Sequence, residues 1–266
     1  MYSANSVIQL FDKKVRENTA EVTKRLTNQI ASAEKLIDIQ CNIASYFMGW
    51  WSSNTSFAHS GHSAKIYPLL ISSFHKNIFS LFSALRISSC GLYGTARPLM
   101  RNIFEWLMIS KFSAISNNPS VMKKWHNEET VYFSDSILKK IMVPSPKEFF
   151  TFWSIVCEYS HATRSSIQVS LDIDDKENFK EVEINIAVIN ALLECNYHLL
   201  NTHLITSEYE YMGKFYSNRN FPNLPEYKVP ELRKAAHSIF KRNRKFLGAG
   251  SVKLISAYKR KWVLSS

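Results

Sequence analysis

Gly94-Thr95-Ala96-Arg97-Pro98-Leu99-Met100-Arg101-Asn102-Ile103-Phe104-Glu105-Trp106-Leu107-Met108 reads as a helix that is apolar almost all round. Arg97, Arg101 and Glu105 recur every four residues, so a helix places them on one face. Phe104, Met108 and Phe112 project close to that face, while Leu99, Met100, Ile103 and Leu107 cover the remainder. A helix with no polar side belongs in an interior. Ionic groups held there are costly unless they pair or do chemistry. The stretch therefore predicts an all-α fold with this helix buried, and a polar site inside it.

Working outward, the pattern predicts helices over 6–48 (one long or two joined), 66–89, 95–116, 119–141, 146–169, 180–210 and 230–247. Pro98 fits the third of these only within its first turn. Trp50-Trp51-Ser52-Ser53-Asn54-Thr55 opens a polar loop to about Ser63. Cys90-Gly91-Leu92-Tyr93-Gly94 reads as a tight turn or a close crossing, because glycine lets backbones approach. Asn117-Asn118-Pro119-Ser120 is a break. Asp172 to Asn178 is an acidic loop, and beside it Val182-Glu183-Ile184 is a candidate for a short strand pair. The stretch 212–230, with Pro222, Pro225 and Pro230, reads as extended. The whole is a single helical bundle of about six or seven helices over 1–227, followed by a basic helical segment over 228–266 with a short basic end.

Composition agrees. Of 266 residues, 45% are hydrophobic and 13% aromatic, while only 7 are Gly and 8 Pro, which is little turn material for a many-stranded sheet. The most apolar segment, Ile66 to Tyr93, is interrupted by His75, Lys76, Asn77 and Arg86, so it reads as a core helix and no membrane span is expected. The first residues lead straight into a charged amphipathic helix, so the expected compartment is the cytoplasm. Cys41, Cys90, Cys157 and Cys195 are far apart and form no C-x-x-C pair, which suits free thiols in a reducing compartment better than disulfides or zinc.

Net charge is +11, and its distribution carries the information. Residues 1–227 hold 22 basic and 21 acidic groups, whereas 228–266 hold 11 basic groups against Glu231 alone. The runs Lys241-Arg242-Asn243-Arg244-Lys245 and Lys259-Arg260-Lys261, with Arg233 and Lys234, lie beside Phe240, Phe246, Tyr258 and Trp262. Basic groups neutralise phosphates and aromatic rings stack on bases, which suits RNA or DNA. A basic tail docked on acidic groups of the same protein accounts for the pattern equally well.

Two further constellations bear on chemistry. Arg97 and Arg101 suit an anionic group, with Glu105 as base or orienting carboxylate, and a buried Arg101–Glu105 pair is the structural alternative. Cys157-Glu158-Tyr159-Ser160-His161-Ala162-Thr163-Arg164 crowds polar residues at the end of an aromatic helix, and His161 is able to move a proton near neutral pH. No G-x-S-x-G elbow surrounds Ser160. His59-Ser60-Gly61-His62 lacks acidic or thiol neighbours for a metal, and neither Gly91-x-x-Gly94 nor Gly248-Ala249-Gly250 fits a nucleotide-binding loop, so no cofactor is expected.

The Ala96-Arg97-Pro98-Leu99-Met100-Arg101-x-x-x-Glu105 helix, followed about fifty residues later by Tyr159-Ser160-His161, resembles an uncharacterised bacterial family of all-helical, HEPN-like proteins. The resemblance spans roughly residues 65–205. It implies a four- to seven-helix bundle with Arg97, Arg101, Glu105 and His161 as a shared polar cluster. The wider HEPN group includes ribonucleases, toxins and antiviral effectors that use an Arg and a following His with four to six residues between them. No arginine here has that spacing, and Arg233…His237 comes nearest with three intervening residues.

The leading expectation is therefore a nucleic-acid-associated bacterial accessory or defence protein that binds RNA or DNA through residues 233–261 of the basic C-terminal segment. A HEPN-like ribonuclease or toxin using Arg97, Arg101, Glu105 and His161 is the enzymatic alternative. A helical interaction module, homodimeric or gripping an acidic protein, is the third.

Overall fold

Helix α1 (Ala4–Arg25) and helix α2 (Thr27–Ser53) follow one another with a single step at Leu26, whose side chain is sunk in the core. The computed structural model describes residues 4–53, 66–127, 129, 131–143, 147–157, 173–205 and 228–265. Helix α3 (Tyr67–Ser89) turns tightly into α4 (Tyr93–Ser116), and the two pack along their length as a hairpin. Gly91 makes that turn with φ +82°, and a Cβ there would lie 2.6 Å from Asn18 Nδ2 and 2.9 Å from Ile173 Cγ2. It is both the tight turn and the close crossing.

Helix α4 is the buried helix that the sequence predicts: 17 of its 24 residues are inaccessible. It begins two residues earlier than the periodicity suggests, so Pro98 lies beyond the first turn. Asn117, in the left-handed region at φ 50°, ends it and returns the Asn118 amide to Ser113 O.

The stretch 119–141 does not form the single helix expected. It breaks into α5 (Ser120–His126), a one-turn α6 (Phe133–Ser136), a 3₁₀ turn (Leu138–Lys140) and strand β1 (Ile141–Val143). Phe133, Ile137, Leu138 and Ile141 are buried at helical spacing, yet the backbone turns over at Ile137 (φ −124°). That turn lets β1 run antiparallel to β2 (Val263–Leu264), with Ile141 opposite Leu264 and the Ser265 amide donating to Lys140 O. Partners 120 residues distant in sequence leave no local signal.

Helix α7 (Lys147–Cys157) packs on α4, and α8 (Lys176–Leu199) runs through the middle of the bundle against α2, α3 and α4, continuing as a π-helical turn over Leu200–Ile205. Asp175 caps α8 by accepting from the amides of Glu177 and Asn178. Helix is thus already under way at Val182-Glu183-Ile184, and the strand expected there is absent. The C-terminal segment is not one helix and a tail. It forms α9 (Lys228–Asn243) on α2 and α10 (Ala249–Lys259) against α7 and α8, and then β2. Ala236, Ile239, Phe240, Leu254, Ile255, Tyr258 and Trp262 belong to the same apolar core as α2, α3, α4 and α8. The fold is an all-α bundle, and among the described residues no helix is long and apolar enough to cross a membrane.

Candidate functional site

Arg97 and Glu105 of α4 are buried and Arg101 is half-buried, and the two arginines turn to different neighbours. Arg97, with 5% of its side chain accessible, donates from Nε to Asn185 Oδ1 (3.0 Å) and from Nη2 to Glu181, both on α8. Asn185 in turn donates to Tyr93 O (2.8 Å), so one guanidinium and one amide fasten the start of α4 to α8. Arg101 donates from Nε to Glu105 Oε1 (2.9 Å) within its own helix. The same carboxylate oxygen accepts from Trp153 Nε1 of α7 (3.0 Å), and the Arg101 guanidinium lies 5.8 Å from the Trp153 ring. Cys157 is near this pair; burial raises its thiol pKa, Arg101 opposes that, and Glu105 adds to it. The structure thus brings Arg101 and Glu105 together and bonds Arg97 to α8. His161, with Tyr159 and Ser160, lies outside the described residues, as do His59 and His62.

A second set of buried polar groups, absent from the candidates the sequence pattern offers, lies along α8. Asn185, Asn190, Glu194 and Asn196 are each at most 1% exposed. Every one of them grips another element. Asn190 Nδ2 donates to Gln29 O (3.2 Å), while its Oδ1 accepts from Asn243 of α9 (3.0 Å). Asn196 donates to Gln40 Oε1 of α2 (2.9 Å) and accepts from Asn77 of α3 (3.2 Å). Glu194 Oε1 accepts from Arg244 Nη2 (2.6 Å) and from Lys259 Nζ (2.5 Å). The signal was present: Asn and Glu inside the apolar run from Ile184 to Leu200 are as anomalous as Arg and Glu inside α4.

Glu194 decides how the basic segment is arranged. Arg244 belongs to the first basic run and Lys259 to the second, so one buried carboxylate draws the two runs together. Their neighbours Lys241, Arg242, Lys245, Arg260 and Lys261 are exposed, as is Lys234 one helical stretch earlier. None of these six forms an ion pair with a described carboxylate, whereas Arg244 and Lys259 are spent on Glu194. Arg233 is half-buried beside Tyr197, whose hydroxyl pKa burial raises and the guanidinium partly restores. The aromatic residues interleaved with the basic runs face inward. Phe240, Tyr258 and Trp262 are 5%, 1% and 3% exposed, and Phe246 is half-buried. In the 3₁₀ turn that leads into β1, Lys139 and Lys140 are exposed, and Lys140 O accepts from the amide and hydroxyl of Ser265.

Behind this surface, Lys111 of α4 is 3% exposed and donates to the carbonyls of Tyr258 and Arg260, the latter at 3.2 Å. Burial lowers its pKa from 10.5 to about 7. Cys195 next to Glu194 is fully buried, and its thiol pKa is pushed far above the usual value, chiefly by desolvation and further by Glu194. All four cysteines are free thiols, three of them half-buried. Among the described residues no three His, Cys, Asp or Glu side chains gather as metal ligands. A groove of about 320 Å³ lies between α7 and α10, lined by Lys147, Glu148, Phe152, Ile155, Gly250 and Lys253. None of the candidate site residues lines it. The bundle stands by itself: the chain matches no family model, no curated protein and no solved structure.

Proposed function

We propose that the protein binds the sugar-phosphate backbone of double-stranded nucleic acid, without reading sequence, through the basic surface assembled by α9 and the end of α10. The observation that supports this reading is the convergence of two basic runs at Glu194, with Lys241, Arg242, Lys245, Arg260 and Lys261 exposed around it. A cation that has no carboxylate partner is available to a phosphate, and each such contact releases a counterion. Burial of Phe240, Tyr258 and Trp262 removes those rings as stacking platforms, so recognition falls to phosphate charge. A duplex offers the denser array, about one charge per 1.7 Å of axis.

The test is a titration of fluorescent 20-base-pair DNA and RNA duplexes and the matching single strand at 50, 100 and 200 mM salt. With about five phosphates neutralised, duplex affinity falls roughly 500-fold over that range. The variant Lys241→Glu/Arg242→Glu/Lys245→Glu lies on the exposed face and loses at least about a hundredfold at low salt. Removing the whole segment is a poor test, because it strips Leu254, Ile255, Tyr258 and Trp262 from the core. Equal duplex affinity of wild type and the triple variant, or tighter binding of the single strand, overturns the reading.

A further inference from the structure

Tyr258 sits between two titratable side chains from different helices. Lys111 Nζ of α4 lies 4.7 Å from its ring centroid, and the His198 ring of α8 meets it edge-on at 6.0 Å. The tyrosine hydroxyl donates to Leu107 O (3.1 Å), and its carbonyl accepts from Lys111. Beyond it, Trp262 packs on Tyr258 at 5.8 Å, lies 4.6 Å from Lys111 Nζ, and donates to Ala257 O. The end of α10 and the strand that follows are therefore held by one buried amine, one half-buried imidazole and two rings.

A neutral amine has two N–H donors, and Lys111 faces two carbonyl oxygens, those of Tyr258 and Arg260. Among the described residues the third proton of the ammonium faces only the rings of Tyr258 and Trp262. The other groups around the seat are Glu194 and Cys195 from α8, Arg244 from the α9 end, and Lys259 from α10. Glu194 is already shared by Arg244 and Lys259. Among the described residues little negative charge is left to offset a proton on either Lys111 or His198.

We infer that Lys111 and His198 make an acid-sensitive seat for Tyr258, which releases the end of α10 and β2 from the bundle when the two side chains take up protons. The sign follows from burial. Desolvation lowers the Lys111 pKa from 10.5 to about 7. Desolvation, with Lys111 and Lys259 nearby, lowers that of His198 from 6.5 to about 4. Both groups hold protons less tightly when Tyr258 is seated than when it is released. Seating therefore weakens as pH falls from 10.5 to 7 on account of Lys111, and from 6.5 to 4 on account of His198. Between pH 8 and pH 5 the two contribute about tenfold and about thirtyfold, together roughly 300-fold in the seating equilibrium.

The inference stands apart from nucleic-acid binding, because its test needs only the full chain. Amide exchange of peptides within 249–265 is followed by mass spectrometry from pH 8 to pH 5 and corrected for the intrinsic rate. Peptides from α3 serve as the control. The opening constant rises roughly 300-fold in wild type, about thirtyfold in Lys111→Met and about tenfold in His198→Gln, while α3 does not follow. A side-chain NMR titration of the wild-type protein decides the matter even where a variant fails to fold: one lysine titrates near pH 7 and one histidine near pH 4. Lysines that all titrate above pH 9, or an identical pH dependence in wild type and both variants, overturn the inference.

Discussion

Replacing Glu194 by Gln tests whether a buried carboxylate holds the basic segment to the bundle. The side chain is 1% exposed and its Oε1 accepts from both Arg244 and Lys259. Glutamine keeps the shape and one acceptor oxygen but removes the charge that two cations share. Breaking a fully buried ion pair by removing one partner costs about 3–5 kcal/mol, mostly the penalty of the charge left behind. Here the stranded cations are 36% and 38% exposed, so they turn to water and part of that penalty vanishes. The net loss is about 2 kcal/mol, which for a chain of this size lowers the melting temperature by roughly 4–8 °C. Circular dichroism melts at neutral pH measure it, with Lys259→Met and the double variant completing a mutant cycle. The cycle returns a coupling of about 1 kcal/mol between Glu194 and Lys259. An unchanged or raised melting temperature refutes the assignment of Glu194 as the anchor, and additive single effects refute the shared oxygen.

The α4 charges separate by burial: Arg97→Ala costs about 3 kcal/mol in a urea titration, whereas Arg101→Ala, whose side chain is 27% exposed, costs about 1 kcal/mol. Equal losses would contradict the different surroundings of the two arginines. Gly91→Ala loses about 2 kcal/mol or more in the same titration, since φ is +82° and the new methyl meets Asn18. Gly250→Ala in α10 meets open space and gains about 0.5 kcal/mol. With a thiol reagent at pH 8, Cys195 stays unmodified in the native protein while Cys41, Cys90 and Cys157 react, because Cys195 alone is fully enclosed and its thiol resists ionisation. Mass mapping of the modified protein reads that difference directly.

The helices were legible wherever their partners are near in sequence. The step from α3 to α4 is written in Gly91, the end of α4 in Asn117, and the burial of α4 in the apolar residues that cover nearly all of its surface. What escaped depends on contacts distant along the chain. Strand β1 forms because Val263 and Leu264 arrive beside it, and nothing between Ile141 and Val143 announces them. The inward turn of Tyr258 and Trp262 follows from Lys111 and Leu107 on α4, over 140 positions earlier. At the candidate site, the spacing of Arg101 and Glu105 gave their pairing correctly, since i,i+4 is a local relation. The same spacing offered Arg97 as their companion, but its polar tip is bonded to Glu181 and Asn185, and no local rule identifies those residues.

Residues 228–266 are strongly basic, yet they pack into the core of the bundle instead of hanging from it as a loose tail. Like charges repel, and packing Arg244 beside Lys259 is unfavourable unless a carboxylate lies between them. Glu194 meets that need from inside the bundle, and Lys111 closes the far end by bonding the carbonyls of Tyr258 and Arg260. Both anchors grip backbone or the two cations at Glu194, leaving Lys241, Arg242, Lys245, Arg260 and Lys261 without an ion pair to any described carboxylate. Folding therefore consumes the minimum of positive charge needed to fix the segment and presents the remainder on a rigid support. A polyanion meeting preorganised cations loses less conformational entropy than one that must first order a flexible tail. Softening the support by Glu194→Gln ought then to speed release of a duplex even though net positive charge has increased, and slower release would show that charge, not rigidity, governs the complex.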